Sequence, residues 1–168
     1  MYDVAVIGCG IVGAAAAYEL SRYNCRVLVL EAKNDVANVT TKANSAILHA
    51  GYDPTPGTLM AETNVRGVAL AKELCEKLDV EREEIGSLVL AFGEEDERHL
   101  EKLYQQGLAN GVPGIELLTA DEVHALEPNV SDKVTAALYA PTAAIVSPWE
   151  YALALAETAV VNLSLIHI

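Results

Sequence analysis

The chain has 168 residues, of which 52% are hydrophobic and 21% charged, so it can bury a core and is too apolar for a disordered segment. Its 11 basic and 24 acidic residues leave a net charge of −13, which argues against nucleic acids and anionic membrane surfaces as partners. Cys9, Cys25 and Cys75 are too few and too scattered for a disulfide framework or a zinc site, so we expect no metal and a reducing, cytoplasmic location.

The apolar start of the chain predicts a βαβ unit. The run YDVAVIG is typical of a strand, GIVGAAAAYELSRYN of a helix and RVLVLE of a second buried strand. No positive residue precedes this run, so we do not interpret it as an export signal. Elsewhere, the apolar stretch at 152–168 is interrupted by polar residues and is too short for a transmembrane span, so we expect none.

The next segment changes character. Residues 31–58 contain several glycines and prolines and no sustained helical period, which predicts a long loop or a short irregular strand. Residues 58–78 have leucines on one helical stripe, and IGSLVLAFG is typical of a strand. We therefore expect a helix and a strand after the loop.

The second half of the chain carries three helix-start signals. The acidic run EEDE suits the positive end of a helix dipole, and we interpret it as capping. Thr119 and Glu122 have the spacing of a capping box for a short helix, and VTAALYA predicts another strand. Ser147 and Pro148 predict the start of a last helix that runs through Ala159.

Gly8, Gly10 and Gly13 form a G-x-G-x-x-G motif where the first strand meets the helix, which is the context of a dinucleotide site. The first glycine suits a tight turn, the second a close approach to a pyrophosphate, and the third close packing of helix and sheet. Glu31 ends the second strand, where a carboxylate can accept hydrogen bonds from ribose hydroxyls and would repel a 2′-phosphate. NADP is therefore disfavoured, while NAD and FAD both fit the motif.

The segment after Glu31 favours FAD. A typical NAD-binding fold continues with a short loop, a helix and a third parallel strand. Here the chain instead enters a loop with the sequence NSAILHAGYDP.

These residues resemble the flavin-dependent glycerol-3-phosphate oxidases and dehydrogenases of the D-amino-acid-oxidase-like superfamily, and the related L-2-hydroxyglutarate oxidases. The resemblance covers residues 2–162, from DVAVIGCGIVGAAAAYELSRY to AALYAPTAAIVSPWE, and NSAILHAGYDP is its most specific part. It implies an α/β fold: the N-terminal part of a Rossmann-like FAD-binding domain, with an inserted α+β segment of a substrate domain. One departure is Ala46, where these families usually have glycine.

The resemblance also implies a set of site residues. His49 matches the histidine beside the flavin that is proposed to accept the substrate hydroxyl proton, a role that suits an imidazole near neutral pH. Ser45 matches a position close to flavin and substrate, so we place it with His49 in the catalytic set. The residues expected to bind FAD are Gly8, Gly10, Ile11, Val12, Gly13, Glu31, Ala32, Lys33, Thr41, Lys42, Asn44 and Ser45. Without the resemblance, a lone histidine between apolar residues is more typical of a hydrogen-bonded core residue.

The resemblance predicts a domain order as well. The expected segments are a first part of the FAD-binding domain at 1–80, a substrate-domain segment at 81–147, a returning helix at 148–162 and a non-native tail at 163–168. The tail, LSLIHI, resembles a translated sequencing adapter, and a genuine apolar strand is the alternative. We interpret the chain as an N-terminal piece of a larger enzyme whose isolated sheet edges would make it poorly soluble and inactive.

The expected activity is oxidation of a small anionic alcohol by FAD, with glycerol 3-phosphate as the first substrate and L-2-hydroxyglutarate as the second. Two alternatives are an NAD-dependent dehydrogenase and an inactive dinucleotide-binding fragment. No basic cluster for an anionic substrate occurs in these residues, so we expect that cluster elsewhere in the full protein. The electron acceptor cannot be identified from the sequence.

Overall fold

A computed structural model describes residues 1–162 fully and the backbone of residues 165–167. Within this part of the chain, fourteen helices and strands and one 3-10 turn (Thr40–Lys42) follow one another. They are β1 (Val4–Ile7), α1 (Ile11–Leu20), β2 (Val27–Leu30), β3 (Ile47–Leu48), α2 (Leu59–Leu78), β4 (Arg82–Glu83), β5 (Ser87–Ala91), α3 (Glu94–Asn110), β6 (Glu116–Thr119), α4 (Ala120–Leu126), β7 (Ala136–Ala140), β8 (Ala144–Val146), α5 (Pro148–Val161) and β9 (Leu165–His167).

The chain divides into two compact units. The first unit comprises residues 1–46, 74–82 and 146–168, and the second comprises residues 47–73 and 83–145.

The first unit contains a parallel sheet with the strand order β1-β2-β9. Val4 lies opposite Val27 and Ile7 opposite Leu30, so the first two strands pair along their whole length. Alanines on α1 and α5 are buried in the core of this unit, where their small side chains let the two helices approach closely. The buried core comprises Cys9, Ala14, Ala17, Val27, Val29, Ala37, Ala152, Leu155, Ala156 and Ala159.

The second unit contains an antiparallel sheet with the strand order β5-β7-β6. Val89 and Leu117 both lie opposite Leu138 of the central strand, one on each side. Leucines of α3 at 100 and 103 belong to the core of this unit, because the helix places them on its buried stripe. A further three-stranded sheet has the strand order β3-β8-β4, and β3 pairs antiparallel with β8 in it.

The structure confirms the predicted βαβ unit and the long helices. The capping box at Thr119 and Glu122 is present, and hydrogen bonds from the Thr119 backbone and side chain hold the pKa of the Glu122 carboxyl below its usual range. The acidic run occupies the first turn of α3 as expected, and α5 begins at Pro148 with Ser147 as its N-cap. The short strands β4, β6 and β8 were not predicted, since two to four residues carry too little periodicity.

The compact units do not follow the expected segments everywhere, and the assignment of those segments to an FAD-binding and a substrate domain stays a prediction. The longest difference is at residues 47–73, which group with the second unit rather than with residues 1–46. The physical reason is a set of hydrogen bonds and packing contacts that tie residues 49–54 to α2 and α3. The side chains of 163–168 lie outside the described part of the structure, so the non-native tail stays a prediction.

Candidate functional site

The glycine motif spans the tight turn after β1 and the first residues of α1. We call residues 8–13 the glycine turn. Gly8 has φ +94°, a left-handed conformation that favours glycine, and its N–H donates to the Leu30 carbonyl at 2.7 Å. A Cβ on Gly13 would lie 1.9 Å from the Gly8 carbonyl oxygen. The third glycine is therefore required by backbone packing within the turn.

The N-terminus of α1 is closed by a side chain from a distant loop. The N-cap, Gly10, has no side chain to cap the helix, and the Ile11 N–H donates to Thr41 Oγ1 at 3.0 Å. Thr41 is 7% exposed, and a Cβ on Gly10 would lie only 3.0 Å from its hydroxyl oxygen. Because this hydroxyl accepts the helix N–H, its own hydrogen is available to donate. The next two N–H groups, of Val12 and Gly13, lie in the first turn of the helix and therefore have no carbonyl acceptor within it.

The Glu31 carboxylate ties the glycine turn to the start of the loop after β2, and we call this contact the Glu31 clamp. Its two carboxylate oxygens accept hydrogen bonds from the N–H groups of Cys9 at 2.7 Å and Lys33 at 2.8 Å. These bonds hold the pKa of the Glu31 carboxyl below its usual range. Burial, together with this carboxylate, raises the pKa of the Cys9 thiol, so Cys9 stays a protonated packing residue. Each carboxylate oxygen keeps a second lone pair, which leaves the expected bond to a ribose hydroxyl possible.

A cavity of about 540 Å³ lies beside the glycine turn, within the first unit. Its volume falls within the range of small-molecule and cofactor sites. The predicted cofactor residues that line it are Gly8, Gly10, Ile11, Val12, Gly13, Thr41 and Asn44. The predicted residues outside this lining are Glu31, Ala32, Lys33, Lys42 and Ser45. Thr40 also lines the cavity and was missed, although its position next to Thr41 was a signal.

Lys42 lines a second cavity of about 560 Å³, together with Trp149. Its ammonium donates to Asn38 Oδ1, and the Asn38 amide donates in turn to Asn34 Oδ1 at 2.8 Å. These contacts occupy Lys42 within its own loop. The structure therefore brings Lys42 to the loop surface, whereas Thr41 faces the glycine turn.

Asn44 organises the loop that follows Thr41. Its side-chain amide donates to the Thr41 carbonyl at 2.8 Å and to the Thr40 carbonyl at 3.2 Å, and its Oδ1 accepts the Ala46 N–H at 2.8 Å. Ser45 lies between these anchored residues with an exposed side chain. Asn44 thus fixes the backbone on both sides of Ser45.

Ala46 adopts a backbone conformation that favours glycine. Its φ is +63°, in the left-handed region, where a Cβ costs roughly 1 to 2 kcal/mol. Its carbonyl accepts the N–H of Val146 at 3.0 Å, which holds it in place. The departure from the glycine of the resembling families therefore carries a local backbone cost.

His49 lies at the start of a second anchored turn, which we call the histidine turn (residues 49–54). Its side chain is exposed, so it is not a core residue of the second unit. Its carbonyl accepts a hydrogen bond from the Asn64 side-chain amide at 2.9 Å. Gly51 has φ +108°, and a Cβ there would lie 2.6 Å from Val65 Cγ2. The turn therefore lies directly against α2.

Helix α3 holds the rest of the histidine turn. The Asn110 amide donates to the carbonyls of Gly51 at 2.9 Å and Pro54 at 2.8 Å. Gln106 Nε2 lies 3.3 Å from the carbonyl oxygens of Tyr52 and Asp53. The sequence analysis did not identify these side-chain amides. For the two asparagines, Asn64 and Asn110, the available signal was the presence of a weak helix former within a helix.

Comparison with known proteins identifies the family. The model of the FAD dependent oxidoreductase (DAO) family matches residues 3–162. The chain belongs to this family. The choice of FAD over NAD and the α/β FAD-binding fold are thereby confirmed.

The relatives of this family member include several named enzymes. The chain is 52% identical over 162 residues to a glycerol 3-phosphate dehydrogenase of Caloramator mitchellensis, with 96% of this chain and 34% of that protein covered. It is 34% identical to a mitochondrial L-2-hydroxyglutarate dehydrogenase of Dictyostelium discoideum, with 87% of this chain and 33% of that protein covered. The chain spans about a third of the length of these curated relatives.

A solved structure of the family has the same fold. The L-alpha-glycerophosphate oxidase of Mycoplasma pneumoniae with FAD bound superposes with a TM-score of 0.91 at 33% identity. The match covers 99% of this chain and 44% of the oxidase chain.

The described residues contain neither a membrane-spanning helix nor a cluster of metal ligands. None of the helices in this part of the chain combines the length and apolar composition of a membrane-spanning segment. No group of three or more His, Cys, Asp or Glu side chains is arranged there to hold a metal ion.

Proposed function

We propose that the protein oxidises a small anionic alcohol with FAD, and that glycerol 3-phosphate is its substrate. The main structural support is the glycine turn, where the N-terminus of α1 faces a cavity of about 540 Å³ beside Thr41. Helix N–H groups and the helix dipole stabilise negative charge at such a position, which suits a pyrophosphate. The relative named glycerol 3-phosphate dehydrogenase, at 52% identity, supports the choice of substrate.

The residues present fit FAD at the glycine turn. Gly10 leaves room for a pyrophosphate to approach the backbone, and the N–H groups of Val12 and Gly13 point along the helix axis toward it. The Thr41 hydroxyl accepts from Ile11 and would donate its own hydrogen to a phosphate oxygen. When bound, the flavin supplies the two-electron acceptor that no side chain provides.

His49 is the proposed general base. An exposed imidazole on an anchored backbone can accept the hydroxyl proton while the substrate carbon gives up its hydride. Ser45 is proposed to contact flavin and substrate from the loop that Asn44 fixes.

L-2-hydroxyglutarate is the second candidate substrate. It is favoured by the relatives named L-2-hydroxyglutarate dehydrogenase, one of them 34% identical over 149 residues. Both substrates are anionic secondary alcohols, so the same base and the same flavin would serve either one.

The test is anaerobic reduction of the flavin in the protein expressed from its complete reading frame. We expect a yellow protein that is bleached by glycerol 3-phosphate, and His49→Ala is expected to slow bleaching by about 10² to 10⁴-fold at saturating substrate. His99→Ala is the matched control, because His99 is exposed on α3. Bleaching by L-2-hydroxyglutarate alone would change the substrate, and a wild-type rate in His49→Ala would remove His49 as the base.

A further inference from the structure

Asn64 connects α2 to the backbone of His49, fifteen residues earlier in the chain. Its amide nitrogen lies 2.9 Å from the His49 carbonyl oxygen. We propose that Asn64 is a positioning residue for His49, one that fixes the direction in which the imidazole leaves the backbone. This inference rests on the proposed role of His49 as the base.

The hydrogen bond acts on the peptide between His49 and Ala50. Fixing the carbonyl of that peptide fixes ψ of His49, and therefore the orientation of its Cα–Cβ bond relative to α2. The His49 side chain is exposed, so packing contributes little to its orientation. A backbone anchor next to the residue therefore sets the direction of the Cα–Cβ bond from which the imidazole extends.

Gly51 makes this contact possible. The position of a Cβ on Gly51 lies 2.6 Å from Val65 Cγ2 and 3.4 Å from Asn64 Oδ1. The lack of a side chain at Gly51 therefore lets the histidine turn approach α2 closely enough for the Asn64 amide to reach His49.

The other anchors of the histidine turn act further along the chain. Asn110 holds the carbonyls of Gly51 and Pro54 from α3, two and five residues after His49. Its amide makes the same kind of bond as that of Asn64 but does not contact the His49 peptide. Asn110 is therefore the natural control for a bond that stabilises the turn without orienting the base.

The test compares Asn64→Asp with Asn110→Asp in the flavin-loaded protein from the complete reading frame. Each change keeps the shape of the side chain and replaces the amide donor with an acceptor. We expect Asn64→Asp to slow flavin reduction at saturating glycerol 3-phosphate by about 10 to 100-fold, because small misplacements of a reacting group are costly. Asn110→Asp should lower the melting temperature and keep the rate within about threefold of wild type. Asn64→Ala serves as the second variant if Asn64→Asp does not fold.

A double-mutant cycle with His49→Ala separates positioning from general destabilisation. If Asn64 acts through His49, Asn64→Asp slows the wild-type background and has no further effect in the His49→Ala background. Equal slowing in both backgrounds, equal slowing by Asn110→Asp, or a wild-type rate in Asn64→Asp would each overturn the proposal. A wild-type rate in His49→Ala alone would instead show that the proposed base is wrong, and the role of Asn64 would fall with it.

Discussion

The glycine turn and the histidine turn are built alike but held by opposite chemistry. Each contains a glycine with positive φ, and each is anchored by side chains from outside the turn. In the glycine turn the backbone presents N–H groups, and the anchors Glu31 and Thr41 accept hydrogen bonds. In the histidine turn the backbone presents carbonyls, and the anchors donate. The anchor chemistry therefore follows the backbone groups that each turn exposes.

This difference matches the roles proposed for the two turns. A turn whose further N–H groups face a cavity suits an anion, because those donors gain a partner when the anion binds. A turn whose carbonyls are satisfied by amides needs no ligand to complete it. It can present the His49 side chain from a peptide whose carbonyl is held by Asn64.

The largest effect is expected from a methyl group inside the glycine turn. Gly13→Ala would place a Cβ 1.9 Å from the Gly8 carbonyl oxygen, which belongs to backbone that cannot move freely. We expect the free energy of unfolding to fall by about 3 kcal/mol, as measured by urea denaturation.

Gly67→Ala is the matched control for this prediction. Gly67 lies within α2, and a Cβ there would meet no atom within 4 Å. The same methyl group should therefore stabilise the protein by roughly 0.5 to 1 kcal/mol, because alanine is the better helix former. Equal effects at Gly13 and Gly67 would show that the glycine turn is looser than described.

A smaller, pH-dependent effect is expected from Glu31→Gln. The folded protein holds the pKa of this carboxyl below its usual range, so the unfolded chain binds the proton first as the pH falls. The stability that the carboxylate contributes is full above the ordinary glutamate pKa of about 4.3 and is lost as the pH falls through the lower folded-state pKa. Wild type should exceed Glu31→Gln in stability at pH 7, and the gap should narrow toward pH 3.

Urea denaturation at several pH values measures this gap. Glu157→Gln, on the exposed side of α5, is the matched control and should keep the wild-type dependence on pH. A gap between wild type and Glu31→Gln that stays constant from pH 7 to pH 3 would contradict the clamp described for Glu31.

The sequence predicted the glycine turn more fully than the histidine turn. Gly8, Gly10 and Gly13 lie at the junction of a strand and a helix that are adjacent in the sequence, so their spacing alone indicates the turn. The bond from Ile11 to Thr41 spans 30 residues and that from Asn110 to Gly51 spans 59, and no local pattern encodes such contacts. The resemblance identified His49 but not Asn64, because a helical asparagine carries no motif. Ala46 was noted as a departure, but its positive φ required the structure.

The FAD affinity of Thr41→Val, measured by titration of the apoprotein from the complete reading frame, is the most direct measure of whether the glycine turn binds the cofactor. Thr41→Val keeps the side-chain shape and removes the hydroxyl that accepts the Ile11 N–H at the edge of the cavity. Thr158→Val is the matched control, because it removes a hydroxyl that donates to the Ala154 carbonyl within α5. We expect Thr41→Val to weaken FAD binding about tenfold or more and Thr158→Val to leave it unchanged. FAD binding that is equally tight in wild type and Thr41→Val would contradict the account of the glycine turn as the cofactor site.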